Sequence, residues 1–215
     1  MERLKDKTYC LSIGLKDFDK AIKVIQDYDM AEIRLDLCEF DRRQVKAIFA
    51  SHNNLIATFR KNNRATDQYR LSILKTAIVS GAKWVDVDID INDDKFIKDI
   101  TDFALDYNIK IILSKHDYHK TPEINEINTY IQKSEKYKAD LIKLVFFARN
   151  EQDNKRVLSL YANNKNILAF NMGNTGKPTR IKALELGAPF MYVALEGEKT
   201  ASGQMTLKEI KNPQL

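Results

Sequence analysis

The sequence predicts an α/β protein: a single-domain (β/α)8 TIM barrel over residues 1–215, with a short N-terminus and an abbreviated last helix. Three observations support this class. Eight short apolar runs recur along the chain, segments with helical periodicity lie between them, and no linker or low-complexity tract interrupts the alternation. A doubly wound parallel sheet is the structural alternative. No glycine-rich dinucleotide or phosphate-binding signature follows any of the runs, which argues against that alternative.

Each apolar run is four to six residues long and rich in β-branched or aromatic residues, as expected of strands buried on both faces. The helices between them are predicted from apolar stripes, such as Ile73, Leu74, Ala77 and Ile78. Little chain follows Gln204, so the last helix must be short. In chain order, the predicted strands are Tyr9–Ile13, Glu32–Leu35, Leu55–Thr58, Trp84–Asp88, Lys110–Ser114, Leu141–Phe146, Ile167–Asn171 and Met191–Ala194.

Composition excludes several classes of protein. The 35 basic and 30 acidic side chains give a net charge of +5, but they are interspersed, which favours solvated helix faces over a nucleic-acid-binding surface. No apolar stretch is long enough to span a bilayer, and the charged residues 1–7 do not form a signal peptide. Two cysteines cannot make a disulfide scaffold. We therefore expect a cytoplasmic protein that binds neither nucleic acid nor membrane.

Polar side chains gather where the predicted strands end, which is where a barrel places its chemistry. Glu32, Arg34 and Asp36 alternate along the second strand, so we expect all three to point to one face. A self-compensating ion-pair network is one explanation, and a substrate pocket is the one that we favour. Other strands and the loops that follow them end in a similar way, at Ser12, Arg60, Asp86, Asp88, His116, Asp117, Lys143, Asn171, the Gly173–Arg180 loop and the Thr200–Gln204 loop.

Lys143 is the most informative of these residues, because it interrupts the apolar run Leu141–Phe147. Burial disfavours the ammonium form, and a neutral amine on a barrel strand is what an imine-forming enzyme needs to attack a ketone. A lysine that extends past the strand end to solvent is the structural alternative. His116 ends the preceding strand and suits two-way proton transfer near neutral pH.

Arg34, Arg60 and Arg180 are expected to converge on the same face. Three guanidinium groups exceed what Glu32 neutralises, which predicts an anionic ligand. A carboxylate is the simplest choice; a phosphate stays open, although residues 173–176 do not match a P-loop. No histidine, cysteine and carboxylate cluster has the spacing of a metal site.

Taken together, the motifs resemble type I 3-dehydroquinate dehydratase, the Schiff-base dehydroquinase family of the shikimate pathway. The resemblance covers essentially the whole chain. Each motif alone is weak, but six in order at fitting separations are specific. They are Glu32–Asp36, Thr58–Arg60, Ser114–Asp117 followed by Lys120–Pro122, Ala139–Lys143, Asn171–Gly173 running to Arg180, and Thr200–Gln204.

The resemblance implies a homodimeric (β/α)8 barrel that needs no metal or organic cofactor and acts on 3-dehydroquinate in aromatic amino-acid biosynthesis. By motif, Lys143 would form the imine and His116 would transfer protons. Arg180 would bind the substrate carboxylate on the loop after the seventh strand. The remaining substrate-binding residues implied are Ser12, Glu32, Arg34, Arg60, Thr200 and Gln204.

Two departures from the family pattern stand out. Members often carry a glutamate shortly after the Thr-Phe-Arg motif that helps to orient the histidine, whereas residues 61–67 are shorter and contain none. Asp67 is the nearest carboxylate, and Asp86 and Asp88 are the alternatives. In the closing loop, Thr200 and Ser202 stand where the family has serine and proline, and loss of the proline predicts a more mobile lid.

Two other functions remain open. A class I aldolase-type barrel would use the same lysine but cleave a carbon–carbon bond; the arginines and the Gln204 loop favour a compact hydroxy acid over its sugar phosphates. A non-catalytic ligand-binding barrel would retain the pocket without the chemistry. The altered loop after Arg60 supports that second function, and the presence of Lys143 and His116 opposes it.

Overall fold

The computed structural model describes residues 8–89, 94–201 and 203–211, and its eight strands form one parallel sheet in the order β7-β6-β5-β4-β3-β2-β1-β8. Although β7 and β8 are the two ends of this order, Phe170 of β7 and Tyr192 of β8 line the same pocket. The sheet therefore curls on itself, which confirms the (β/α)8 barrel class. The strands are β1 (Tyr9–Ile13), β2 (Met30–Arg34), β3 (Leu55–Thr58), β4 (Trp84–Asp88), β5 (Lys110–Asp117), β6 (Leu141–Phe147), β7 (Ile167–Met172) and β8 (Met191–Ala194).

Helices of the described chain follow the strands, and several begin at side chains that cap free backbone N–H groups. Asp41 and Gln44 form a reciprocal capping box, and the Thr66 side chain accepts a hydrogen bond from the Tyr69 N–H. The helices are α1 (Phe18–Ile25), α2 (Leu35–Cys38), α3 (Arg42–Ala50), α4 (Asp67–Val79), α5 (Asp94–Asp106), α6 (Ile124–Lys136), α7 (Glu151–Ser159, continued by a 3-10 turn at Leu160–Ala162), α8 (Gly173–Glu185) and α9 (Leu207–Lys211).

Alternate strand residues divide between two hydrophobic layers. Ile111 of β5 packs in the layer that contains helix residues such as Leu74 and Ile100. The next residue, Ile112, packs in a second cluster with Cys10 and with residues of several other strands. Because side chains alternate along a strand, the second cluster fills the barrel interior. Lys143 lies in the same inward row as two residues of that cluster, Leu141 and Val145.

Three local predictions were wrong or incomplete. The second strand ends at Arg34, since Leu35–Cys38 form α2, so Asp36 lies on a helix instead of on the strand. The fifth strand continues to Asp117, because its last residues pair with β6 as far as Phe146. Residues 173–180 are helical and not a loop, because they form the first turns of α8.

At the termini, the described part of α9 is Leu207–Lys211. The predicted short N-terminus falls on residues 1–7, and the end of the chain on residues 212–215; both lie outside the described residues. None of the described helices has the length and apolar character needed to cross a bilayer.

Candidate active site

A pocket opens at the carboxyl ends of the strands, and all nine catalytic and substrate-binding residues that the resemblance implies line it. This arrangement follows from the fold, since parallel strands of a barrel all end at one rim. Side chains from most of the strands, from α8 and from the loop after β8 therefore meet there. The lining residues are Ser12, Glu32, Arg34, Arg60, His116, Tyr118, Lys143, Val145, Phe170, Met172, Arg180, Tyr192, Thr200, Ala201 and Gln204. The other polar residues expected in the pocket are not among the lining residues: Asp36, Asp86, Asp88, Asp117 and Asn171.

Lys143 lies at the floor of the pocket and is only 4% exposed. Its Nζ is 2.9 Å from Asp86 Oδ2 and 3.3 Å from Glu32 Oε1, and it lies 4.1 Å above the centre of the Tyr192 ring. From the sequence only burial could be considered, whereas in the structure two carboxylates and an aromatic face also contact Nζ. Nucleophilic attack on a carbonyl requires the neutral amine, which stays a prediction.

Glu32 joins three neighbouring strands beneath the pocket. Its carboxylate accepts hydrogen bonds from Ser12 Oγ of β1 at 2.6 Å and from Thr58 Oγ1 of β3 at 3.0 Å. Burial alone would raise the pKa of Glu32, but nearby cations, first of all Lys143, bring that pKa below its ordinary value. Glu32 is thus an ionised carboxylate in the barrel interior.

Arg60 connects two aspartates of β4. Its guanidinium binds Asp86 through both terminal nitrogens, at 2.8 and 2.7 Å, and donates to Asp88 Oδ1 at 2.9 Å and to Ser114 Oγ at 2.8 Å. Burial alone would raise the pKa of Asp88, but Arg60 and then His116 lower it to about 2. Both aspartates are therefore held as anions.

The guanidinium groups of Arg34 and Arg60 are already paired with carboxylates, which corrects the prediction that only Glu32 opposes the arginines. Asp86 and Asp88 neutralise Arg60, and Asp36 binds Arg34 at 2.8 and 3.0 Å. Sequence spacing could not reveal this, because the carboxylates reach the arginines only through barrel geometry and through the turn into α2. The excess of positive charge available to an anionic ligand is therefore smaller than the sequence predicted.

Arg180 enters the pocket from α8, is 3% exposed, and packs 4.3 Å from the centre of the Phe170 ring. Burial lowers the pKa of Arg180 to about 10, the opposite direction from Arg34 and Arg60. An incoming carboxylate would offset that desolvation. Close contact between α8 and β7 sets the position of Arg180, because a Cβ at Gly176 would lie 2.7 Å from the Asn171 backbone.

His116 is half-buried at the rim of β5. Its Nδ1 lies 3.4 Å from Asp88 Oδ1, and its ring stacks on Tyr118 with 6.1 Å between ring centres. Burial, followed by the charge of Arg60, lowers the pKa of His116 below its ordinary value. Of the carboxylates considered from the sequence, Asp88 makes this contact. Asp67 instead binds Arg70 at 2.7 Å.

The loop after β8 closes over one side of the pocket. Thr200 Oγ1 lies 2.9 Å from Ser12 Oγ, and Gln204 Oε1 accepts hydrogen bonds from the Thr200 and Ala201 backbone at 3.0 and 3.1 Å. The predicted lid residues Thr200 and Gln204 therefore brace each other. Ser202, on which the expectation of lid mobility rests, lies outside the described residues.

Sequence reasoning missed three aromatic residues of the site, Tyr118, Phe170 and Tyr192. Tyr192 lies on the inward row of β8, opposite Cys10 of β1, and Tyr118 follows His116 by two residues. Phe170 and Tyr192 carried a signal in the alternation of their strands, but an aromatic residue in an apolar run is more often core than site. Tyr118 lies just beyond β5, where no alternation marks it. No group of three or more histidine, cysteine, aspartate or glutamate residues in the described chain could hold a metal ion.

Fold and site together define the class of protein: a (β/α)8-barrel enzyme with an amine, an imidazole and ionised carboxylates in one buried pocket. The model of the family "Type I 3-dehydroquinase" matches residues 9–213. The chain belongs to the type I 3-dehydroquinase family, and it is therefore a carbon–oxygen lyase of the hydro-lyase class.

Individual relatives agree with this assignment. The 3-dehydroquinate dehydratase of Thermococcus onnurineus is 32% identical over 205 residues, 91% of this chain and 92% of that protein. That of Methanococcus vannielii is 32% identical over 215 residues, 94% of this chain and 96% of that protein. Among solved structures, type I 3-dehydroquinate dehydratase of Clostridium difficile superposes with a TM-score of 0.82 at 24% identity, covering 95% of this chain and 89% of that one. At that identity the structural match supports the fold alone.

Proposed function

We propose that the protein eliminates water from 3-dehydroquinate to give 3-dehydroshikimate through an imine on Lys143. The observation that carries this proposal is the pairing of a buried lysine with a histidine at the carboxyl ends of adjacent strands of a type I dehydroquinase chain. Lys143 and Ser114 are register partners, and His116 lies two residues further along the same strand. The amine and the imidazole therefore face one pocket.

The reaction begins when the neutral amine of Lys143 attacks the C3 ketone through Nζ. His116 assists the proton transfers that convert the carbinolamine into an iminium ion and water. The iminium is an electron sink that acidifies the adjacent C2 hydrogen. His116 removes that proton to give an enamine, whose electron pair then expels the C1 hydroxyl group. His116 returns the proton to this leaving group, which departs as water, and hydrolysis of the imine releases product and frees Lys143.

The ion pairs of Lys143 suit this sequence. Glu32 and Asp86 stabilise a cation at Nζ, and the iminium places its positive charge at the same nitrogen. The two carboxylates can therefore remain in position from the free enzyme to the covalent intermediate. Preorganised charges of this kind stabilise a transition state without reorganising during the reaction.

Substrate-binding roles follow the lining of the pocket. Arg180 is proposed to bind the substrate carboxylate as a planar fork. The residues proposed to bind the hydroxyl groups of the substrate are Ser12, Glu32, Arg34, Arg60, Thr200 and Gln204. Four expectations stay predictions: that the protein is a homodimer, that residues 1–215 form a single domain, that it is located in the cytoplasm, and that it needs no cofactor.

Borohydride trapping followed by mass spectrometry tests the mechanism. Reduction in the presence of 3-dehydroquinate should add a substrate-derived mass to the peptide containing Lys143, and none should appear without substrate. Lys115 serves as an internal control, because it lies on the neighbouring strand, where its Nζ packs on the Tyr130 ring. An adduct on Lys115 instead of Lys143 would refute the assignment of the amine.

Turnover assays separate the alternative functions. The proposal requires dehydration of 3-dehydroquinate and no cleavage of sugar-phosphate ketones. Cleavage of a carbon–carbon bond would favour the aldolase-type alternative. Tight binding of dehydroquinate with neither turnover nor trapping would favour a non-catalytic barrel.

A further inference from the structure

Asp88 contacts the imidazole of His116 and has no assigned part in the reaction so far. Asp88 ends β4 and His116 lies on β5, the neighbouring strand, where Asp88 is the register partner of Ser114. His116 lies two residues beyond Ser114 on the same inward row, so Asp88 meets the imidazole diagonally across the two strands. The contact is between Asp88 Oδ1 and His116 Nδ1, at 3.4 Å.

The Asp88 carboxylate is itself held firmly. Its Oδ1 accepts a hydrogen bond from Arg60 at 2.9 Å and lies 3.3 Å from Ser114 Oγ. Through Arg60 it is linked to Asp86, which binds Lys143. Asp88, Arg60 and Asp86 thus form a continuous row of alternating charges between His116 and Lys143, the two residues that the proposed mechanism uses together.

We propose that Asp88 is the positioning residue for His116: it accepts the Nδ1–H, selects that tautomer, and leaves Nε2 as the nitrogen that exchanges protons with substrate. This inference rests on the proposed function. A distance of 3.4 Å is long for a hydrogen bond, as such contacts commonly are before substrate binds. Asp67, the carboxylate nearest in sequence to the loop after Arg60, is engaged by Arg70 and Lys61.

The charged groups around His116 affect its pKa, so the proposal predicts a change in the pH dependence of activity. Arg60 and Lys143 disfavour the imidazolium, Asp88 favours it, and Tyr118, Glu32 and Arg180 line the same pocket. Replacing Asp88 by asparagine removes the anion in contact with the ring. The pKa of His116 should then fall further, because the cations and the desolvation remain unopposed.

The experiment compares D88N, D88E and D67N with the wild-type enzyme across pH. D88N should lower kcat by roughly 10- to 150-fold, the equivalent of one charge-assisted hydrogen bond, with little change in KM. Since the base must be unprotonated, the acidic limb of kcat/KM should move to lower pH. D88E restores the charge and should return the limb to its wild-type position. D67N removes an aspartate–arginine pair outside the pocket and should leave kcat and the limb unchanged.

Two outcomes overturn the inference. Wild-type kcat and pH profile in D88N would mean that Asp88 does not act on His116. A lower kcat in D88N, with the acidic limb of kcat/KM unmoved and no rescue by D88E, would mean that Asp88 has only a structural role.

Nitrogen-15 NMR of the free wild-type enzyme provides a test that needs neither a variant nor turnover. His116 protonated on Nδ1 supports the proposal, and protonation on Nε2 instead overturns it even if D88N does not fold. If wild-type enzyme leaves dehydroquinate unchanged, the proposed function fails. The NMR result then still decides whether Asp88 selects the tautomer.

Discussion

Replacing Lys143 by methionine isolates the charge of the buried amine from its volume. The structure predicts two effects, loss of imine formation and loss of stability. Lys143 Nζ neutralises Glu32 and Asp86, and both carboxylates are almost fully buried. Removing one partner of a buried ion pair costs about 3–5 kcal/mol.

The contacts that remain place K143M at the lower end of that range. Asp86 retains both hydrogen bonds from Arg60, and Glu32 retains those from Ser12 and Thr58. We therefore expect a loss of about 3 kcal/mol at pH 7. For a chain of this size that corresponds to a Tm lower by about 6–12 °C.

The loss should depend on pH through Glu32. In the wild-type protein the folded pKa of Glu32 is below its ordinary value, so its contribution is present above the unfolded pKa and declines as pH falls. Without Lys143, burial dominates and should raise the folded pKa above the unfolded value. The folded variant then binds a proton that the unfolded chain releases, so the destabilisation should be larger at pH 7 than at pH 4.5.

Denaturant unfolding at both pH values measures these effects. The double variant K143M/E32Q should recover most of the lost stability, because it removes the unpaired anion. K120M removes an exposed lysine paired with Glu126 at 3.4 Å and should leave stability within error of wild type. Equal stability of K143M and wild type at pH 7, or no recovery in the double variant, would refute the reasoning.

Three further predictions concern other parts of the site. H116A should retain some imine trapping but lower elimination by at least about 100-fold, the low end for a general acid–base group; near-normal turnover would remove His116 from the mechanism. R180K keeps the charge but loses the planar fork, so kcat/KM for dehydroquinate should fall roughly 10- to 150-fold. An analogue with a neutral amide in place of the carboxylate should bind wild type poorly and lose little more in R180K; an equal loss for acid and amide would transfer the carboxylate to Arg60. G176A places a methyl group 2.7 Å from the Asn171 backbone and should cost about 1–3 kcal/mol of stability, with a lower kcat/KM because α8 carries Arg180. An unchanged melting curve would contradict that packing argument.

Much of the fold could be predicted because each strand carries its own signal. The first, third, fourth and eighth strands were predicted with the bounds that the structure has. The predicted bounds were wrong where the local sequence pattern conflicts with strand pairing or helix packing in the structure. Lys115, His116 and Asp117 are too polar to suggest a strand, yet they pair with Leu144, Val145 and Phe146 of β6. Gly173 and Gly176 suggested a loop, but they permit a helix to pack closely against β7.

The catalytic and substrate-binding polar residues of the pocket could be predicted from the sequence alone, because polar residues at the ends of parallel strands share one rim. The ionic state of the pocket was decided only by the tertiary structure. Lys143 and Glu32 are separated by 111 positions, and Arg60 and Asp86 by 26, so no local pattern shows which anion meets which cation. The strand order and register of the barrel make those pairs. Because charges interact strongly where water is excluded, the pairs determine that Glu32 is held as an anion beside Lys143 and that Asp88 contacts His116.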